Sequence, residues 1–213
     1  MRPMAYCTTA LHRLTALLLG ALLALAPLPA GPAPTEGEAG ASLAGRLLVA
    51  RPELEDPNFR QSVILMLEHD SGGAMGLVIN RQLGTTSAAE LLSRMGVAGE
   101  DLDVQIAVHF GGPVEPGRGV LLHSGDYMLE SSQGLPGGFA LSADAEMLRR
   151  IARGEGPKAS RFLLGYAGWG PGQLEGEIAR GTWWDVEADP ALVFEADIAS
   201  IWQRALDLRG LDL

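Results

Sequence analysis

LLGYAGWGPGQLEGE, at residues 163–177 of this 213-residue chain, says more about the architecture than any other segment. Its apolar beginning has the composition of a buried strand. A glycine-rich turn with a single tryptophan, Trp169, follows it. The helix that begins after this turn carries Glu175 and Glu177 in its first turn, where acidic side chains are stabilising. The segment therefore predicts a strand, a tight turn and a helix in succession.

Short apolar runs of strand length recur along the rest of the chain. Strands are predicted at residues 46–50, 62–69, 74–80, 106–110, 119–123, 139–141 and 162–166, with an edge strand at 183–186. A tight turn at residues 70–73 makes the second and third strands a hairpin. Besides the helix after residue 172, helices are predicted from Ser87, from Ser142 and at 198–208. These elements predict an α+β fold with a mostly antiparallel or mixed sheet.

The N-terminus has the pattern of a secretory signal, which divides the chain into three parts. Arg2 and Arg13 supply positive charge before an apolar run, which ends in proline and alanine by residue 30. The alternatives to a secretory signal are an uncleaved membrane anchor and a translation start near Leu43. Residues 31–44 are rich in Pro, Gly, Ala and Glu and predict a disordered tether. We expect residues 45–213 to form one domain of an exported, periplasmic protein.

Charge and cysteine content argue against several classes of function. The formal net charge is −10, and loss of two arginines with the signal makes it −12. No cluster of cations is available to neutralise phosphates, which argues against direct nucleic-acid binding and against docking on anionic lipid. The only cysteine, Cys7, lies in the predicted signal. The remaining chain therefore has no thiol for catalysis, a disulfide or a zinc site.

Two sets of titratable residues are candidates for chemistry. Glu68, His69 and Asp70 are consecutive, but neighbours on a strand point to opposite faces, so at most two converge. His109 and His123 lie near the ends of two predicted strands, and they would approach each other if those strands paired. Each set also has a structural interpretation, as polar residues at strand ends.

The glycine-rich turn at residues 168–173 resembles a nucleotide-binding loop only superficially. The dinucleotide pattern requires glycine where Gln173 stands, and the lysine of a phosphate-binding loop is missing. Free backbone N–H groups at the following helix could hold an anion. The structural alternative is that the glycines permit unusual backbone angles and Trp169 caps the core. Asn58, Asn80 and Arg81 are further polar residues at turn or strand ends, without a forced catalytic role.

Four segments together resemble the YqgE/AlgH family of bacteria. They are DPNFRQSVILMLEH at 56–69, GAMGLVINR at 73–81, HFGGPV at 109–114 and GYAGWGPGQLEGE at 165–177. The similarity runs from about Leu43 to the C-terminus. It implies a compact α+β fold whose sheet bends into a pseudo-barrel, with about four helices packed outside. It implies no established catalytic residue.

The family name reflects a proposed role in transcriptional regulation of alginate production. The negative charge and the lack of a basic recognition helix argue against direct DNA binding. A regulator with these properties would act through a protein partner. Family members usually look cytoplasmic. The additional N-terminus of this chain departs from that pattern and indicates export.

The sequence most favours a non-enzymatic binding or interaction protein with an unidentified protein or small ligand as its partner. Glycine-rich loops at 111–118 and 168–173 would shape the recognition surface. Its candidate residues are Asn80, Arg81, Gly111, Gly112, Trp169, Gly170, Gln173 and Glu175. No cofactor or bound metal is expected, and the oligomeric state is left open. The alternative from a different class is a metal-assisted hydrolase that uses His109, His123 or the residues at 68–69.

Overall fold

The computed structural model describes residues 41–97 and 102–210. The predicted signal at residues 1–30 and most of the predicted tether at 31–44 lie outside these residues. Within the described part, no helix has the length and apolar character needed to cross a membrane.

The described residues form ten strands and five helices. The strands are β1 (Arg46–Ala50), β2 (Val63–Asp70), β3 (Gly73–Val78), β4 (Gln82–Ser87), β5 (Gln105–Phe110), β6 (Val114–Ser124), β7 (Gln133–Leu135), β8 (Phe139–Ser142), β9 (Ser160–Trp169) and β10 (Trp183–Glu187). The helices are α1 (Ala88–Arg94), α2 (Ala145–Ala152), α3 (Gln173–Ala179), α4 (Pro190–Phe194) and α5 (Ile201–Gly210). Short 3-10 turns precede β8 and α5. The α+β class is confirmed.

The sheet is organised around β9, which pairs with three other strands. The main path runs β10-β1-β2-β3-β9-β6-β8-β7, and β4 joins through β5. All pairs are antiparallel except β5 with β9. On one side of β9, β5 pairs with residues 162–164 and β3 pairs with residues 167–169. On the other side lies β6. The predicted hairpin of β2 and β3 is confirmed, with Asp70 opposite Gly73.

The sheet is curled, and its apolar core shows this. One buried cluster contains Leu47 of β1, Leu122 of β6 and Phe139 of β8, although several strands separate β1 from β8 in the sheet. Residues from such distant strands meet on one face only if that face is concave. Helices α4 and α5 contribute Val193 and Ile201 to the same cluster and cover this face. The predicted bent sheet is therefore confirmed as a half-barrel.

Two further clusters pack against the outer face. Helices α1 and α2 cover Val108 of β5 and Phe162 of β9. Leu174 of α3 packs with Trp169 and Trp183 over β1, β2 and β3. Four helices of seven or more residues thus pack on the sheet, as predicted, and α4 is a shorter fifth.

Glycines allow the chain to cross over β9. Strand β5 lies on one side of β9 and β6 on the other, so residues 111–113 between them must pass over the strand. Gly111 and Gly112 are buried there, and a Cβ on either would overlap the backbone of Gly165 or Tyr166. Gly165 itself has a φ of 71°, which L side chains rarely adopt. The glycines at these positions therefore permit a backbone-on-backbone contact.

Several details differ from the prediction. Strands β4 and β7 and helix α4 were not expected, and β9 continues to Trp169 instead of ending at residue 166. Helix α2 is capped by Asp144, whose carboxylate accepts from the Glu146 N–H at 2.8 Å, and not by Ser142. Ser87 does cap α1.

Candidate functional site

The loop between β1 and β2, at residues 51–62, is the point at which the motif segments meet. Asp56 begins a turn, because its carboxylate accepts from the N–H of Asn58 at 2.8 Å and its carbonyl accepts from the N–H groups of Phe59 and Arg60. Gln61 has a φ of 54°, an uncommon conformation for a residue with a side chain. A loop of this shape requires support from outside itself.

Asn80 and Arg81 provide that support from the end of β3. The Asn80 amide accepts from the Val63 N–H at 2.9 Å and donates to the Gln61 carbonyl at 2.8 Å. The Arg81 guanidinium donates to the carbonyls of Pro57 at 3.0 Å and Arg60 at 2.8 Å. Both side chains predicted from the sequence therefore hold the 51–62 loop against the sheet.

Arg81 is partly buried and lies near charges of both signs. Burial lowers the pKa of Arg81, the positive charge of Arg60 lowers it further, and Asp56 opposes the shift. The Arg81 guanidinium also lies 5.8 Å from the ring centroid of Phe110, within the range of a cation–π interaction. Phe110 belongs to the HFGGPV segment, so this segment is connected to the loop through Arg81.

One side of the loop borders a hollow of about 820 Å³. We call it the arginine hollow. Its polar lining includes Arg60, Gln61, Asn80 and Arg81, and Trp202 of α5 forms part of the apolar lining. The remaining lining residues are Pro52, Leu54, Glu55, Pro57 and Ala199. A volume of this size is in the range of small-molecule sites.

The other side of the loop borders a smaller hollow of about 350 Å³, the aromatic pocket. Phe59 of the loop stacks on Trp169 at 6.5 Å between centroids and meets Trp183 edge-on at 5.9 Å. Both indole N–H groups donate to the same oxygen of Glu177, at 2.9 and 2.8 Å. Gln173 donates to the other oxygen at 3.0 Å. Glu177 thus joins the two tryptophans and helix α3 into one unit.

The glycine-rich turn is closed by hydrogen bonds of its own. The Gln173 side chain accepts from the Gly170 N–H at 3.1 Å, and the Gln173 N–H donates to the Gly170 carbonyl at 3.0 Å. Trp169 is only 7% exposed and packs in the core under α3. Gly170 and Gln173 are exposed beside it.

His69 has a structural role in this arrangement. Its Nδ1 accepts from the Leu43 N–H at 3.1 Å, so the proton lies on Nε2, which donates to Glu175 at 3.0 Å. The pKa of Glu175 is lowered by a backbone hydrogen bond and by His69. The pair connects the beginning of the described chain to α3. Within residues 41–97 and 102–210, no group of three or more His, Cys, Asp or Glu side chains is placed to bind a metal.

His109 and His123 do not approach each other, because β9 separates their strands. His109 pairs in register with Leu163 and His123 with Ser160, so the two side chains lie on opposite faces of the sheet. The prediction that they could converge is wrong for this reason. The hydrolase hypothesis loses its proposed pair of histidines.

Each histidine instead has its own buried surroundings. His109 contacts the Phe162 carbonyl at 3.2 Å and the guanidinium of Arg161 at 3.1 Å. Burial, and then the charge of Arg161, lower the pKa of His109, which favours the neutral ring. Arg161 also donates to the Val193 carbonyl at 2.7 Å. His123 bonds the Ser124 carbonyl through Nδ1, and its buried Nε2 has no hydrogen-bond partner in the described structure.

The eight predicted surface residues therefore fall into three places. Asn80 and Arg81 line the arginine hollow. Trp169, Gly170, Gln173 and Glu175 lie in or beside the turn at the aromatic pocket. Gly111 and Gly112 are buried in the crossing over β9. The sequence did not single out Arg60, Phe59, Glu177, Trp183 or Trp202. Phe59 and Arg60 lie in the NFRQ part of one motif, and Glu177 ends the 165–177 motif, so the motifs were the available signal for these three. Trp183 and Trp202 depend on contacts distant in sequence.

Comparison with known proteins agrees with the motifs. A family model described as AlgH-like (DUF179) matches residues 47–213. A UPF0301 protein of Methylococcus capsulatus is 43% identical over 176 residues, which cover 83% of this chain and 96% of that protein. A UPF0301 protein of Rhodospirillum rubrum is 42% identical over 80% of this chain and 88% of its own.

Solved structures show the same relationship. The solution structure of the AlgH protein from Pseudomonas aeruginosa is similar with a TM-score of 0.67 and 38% identity, over 78% of this chain and 88% of that one. A crystal structure of a Corynebacterium diphtheriae protein shares the fold, with a TM-score of 0.61 and 22% identity over 76% of this chain and 84% of its own. On the family match and these identities, the chain belongs to the AlgH-like, or UPF0301, family.

Proposed function

We propose that this protein is a non-enzymatic binding protein that captures a protein or small-molecule partner on one continuous surface. That surface consists of the arginine hollow, the 51–62 loop and the aromatic pocket. The observation that carries the proposal is that motif residues distant in sequence converge on this one loop. Arg81, just after β3, and Trp169 of β9 contact the loop directly, and Phe110 of β5 contacts Arg81.

The chemistry of the surface supports binding over catalysis. Asn80, Arg81, Gln173 and Glu177 are engaged in hydrogen bonds with one another or with backbone groups. Catalysis by a side chain needs a nucleophile or base within hydrogen-bond reach of an orienting partner. His69, which contacts α3 at Glu175, instead accepts from the Leu43 N–H and donates to Glu175. These hydrogen bonds hold the surface in a fixed shape, which suits binding better than catalysis.

Partner capture by matched variants tests the proposal. Arg60→Glu changes the arginine hollow, Gln173→Ala changes the aromatic pocket, and Arg94→Glu makes the same charge reversal on α1, outside both. We expect proteins or metabolites that copurify with the wild type to be lost from the first two variants and retained by the third, as measured by quantitative mass spectrometry. Retention by all three, or equal loss from all three, would contradict the proposal.

We also propose that the protein acts outside the cytoplasm. The arginines at positions 2 and 13 and the apolar run after them support this. Cell fractionation, with the mature N-terminus determined by mass spectrometry, is the test. Cleavage near residue 30 and recovery from the periplasm are expected, whereas full-length protein in the cytoplasm would refute export.

A further inference from the structure

Arg60 is a cation that lines the arginine hollow without an ion pair to the described residues. In the described structure its guanidinium has neither a hydrogen bond nor an ion pair, while its backbone carbonyl is held by Arg81. Other surface arginines do have acidic partners, such as Arg46 with Asp185 at 2.8 Å and Arg94 with Glu90 at 3.1 Å. An unpaired arginine is notable in a chain with a formal net charge of −10.

Arg81 adds a second cation to the same hollow. Its guanidinium has five N–H donors, and two hydrogen bonds to carbonyls leave donors available. Arg60 and Arg81 are close enough that the charge of Arg60 lowers the pKa of Arg81. Two like charges that share a hollow repel each other, and an anion placed between them removes that repulsion.

Two acids lie near this pair, but neither forms an ion pair with it. The Asp56 carboxylate accepts from the Asn58 N–H and acts on Arg81 only at longer range, where its charge raises the pKa of Arg81. Glu55 is an exposed lining residue. The apolar lining, which includes Leu54 and Trp202, offers a surface for the organic part of a ligand. The Trp202 indole is held in place by its hydrogen bond to the Ala50 carbonyl at 2.8 Å.

We propose that the arginine hollow binds a small organic molecule through a compact oxyanion, a carboxylate or a phosphate, which is held by Arg60 and Arg81 while its organic part contacts Trp202. Guanidinium groups bind both oxyanions with paired hydrogen bonds. This inference rests on the proposed function, since it names the ligand class for one half of the proposed surface.

Direct binding of simple probes is the test. Phenyl phosphate and benzoate carry the two oxyanions on the same ring, and benzyl alcohol is the neutral control. Isothermal titration and tryptophan fluorescence should give a Kd of about 1 mM or tighter for at least one anion and no binding of the alcohol. The stronger of the two anions identifies the preferred group. The inference is overturned if neither anion binds in this range, or if the alcohol binds equally well.

Variants locate the site. Arg60→Ala should weaken anion binding at least about tenfold, because a charge-assisted pair of hydrogen bonds is lost. Arg60→Lys keeps the charge but cannot form the paired hydrogen bonds, so its affinity for the anion should lie between those of the wild type and Arg60→Ala. Arg94→Ala removes the same charge from α1 and should bind like the wild type. Equal weakening by Arg60→Ala and Arg94→Ala would show a general charge effect and refute the site.

The outcome is separable from that of the proposed function. If the anions fail to bind while partner capture still depends on Gln173, the inference falls and the binding surface stands. If anion binding depends on Arg60, the inference stands regardless of which proteins copurify.

Discussion

Substitution of Gly112 by alanine tests how the glycine motifs act. Residues 111–113 cross over β9 in direct contact with its backbone, and a Cβ at Gly112 would overlap the carbonyl group of Tyr166. The atoms in the way belong to a central strand and cannot rotate aside as a side chain would. Because forced overpacking against side chains already costs about 1–3 kcal/mol, we expect Gly112→Ala to cost at least about 3 kcal/mol of unfolding free energy.

Urea unfolding followed by tryptophan fluorescence gives that free energy, and thermal unfolding gives an independent value. For a domain of this size, each kcal/mol corresponds to about 2–4 °C, so the midpoint should fall by at least about 6 °C. Gly117→Ala is the matched control, since a Cβ there has no atom within 4 Å and no positive φ is involved. We expect it to lie within about 0.5 kcal/mol of wild type. A Gly112→Ala protein as stable as Gly117→Ala would refute the backbone crossing as the reason for glycine.

Three further predictions concern the site and its support. Glu177→Ala should lower the unfolding free energy by about 2–4 kcal/mol, measured in urea titrations, because two buried indole N–H groups lose their acceptor. The control is Glu175→Ala, an exposed position on the same helix, which should cost less than about 1 kcal/mol. Arg81→Met should increase amide hydrogen exchange at residues 57–62 and leave β6 unchanged, and unchanged exchange in the loop would show that Arg81 does not hold it. The pKa of His109 is lowered in the folded state, so the unfolded chain binds more protons below about pH 6.5. Stability should therefore fall as the pH is lowered through that value. His109→Gln should lose this part of the pH dependence, measured as the urea midpoint between pH 7.5 and 5.5.

The sequence predicted elements whose burial follows a regular pattern. The hairpin of β2 and β3 has long apolar runs separated by a turn of Asp, Ser and Gly, and it was placed correctly. Strand β4 reads QLGTTS and is mostly exposed at the edge of the sheet, so no apolar alternation marks it. Strand β9 was ended at residue 166 because Gly168 was assigned to the glycine-rich turn. Gly168 belongs to the strand because it pairs with Met75 of β3.

The candidate site could be predicted only in part, for a related reason. Asn80, Arg81 and Gln173 were recognisable as polar residues in motifs. Their partners, such as the Pro57 carbonyl for Arg81, come from tertiary folding and leave no local pattern in the chain. Trp183 was assigned to an edge strand, and only the structure shows that it shares the Glu177 carboxylate with Trp169.

Photocrosslinking is the most direct measurement of the central claim, that the partner binds across the 51–62 loop. A photoreactive residue is placed at Glu55, an exposed residue lining the arginine hollow, and in a second protein at Leu83, which is 60% exposed on β4, a different edge of the sheet. The account predicts a discrete adduct from position 55 that is abolished by Arg60→Glu, and no such adduct from position 83. An adduct that forms from position 83 but not from position 55 would contradict it.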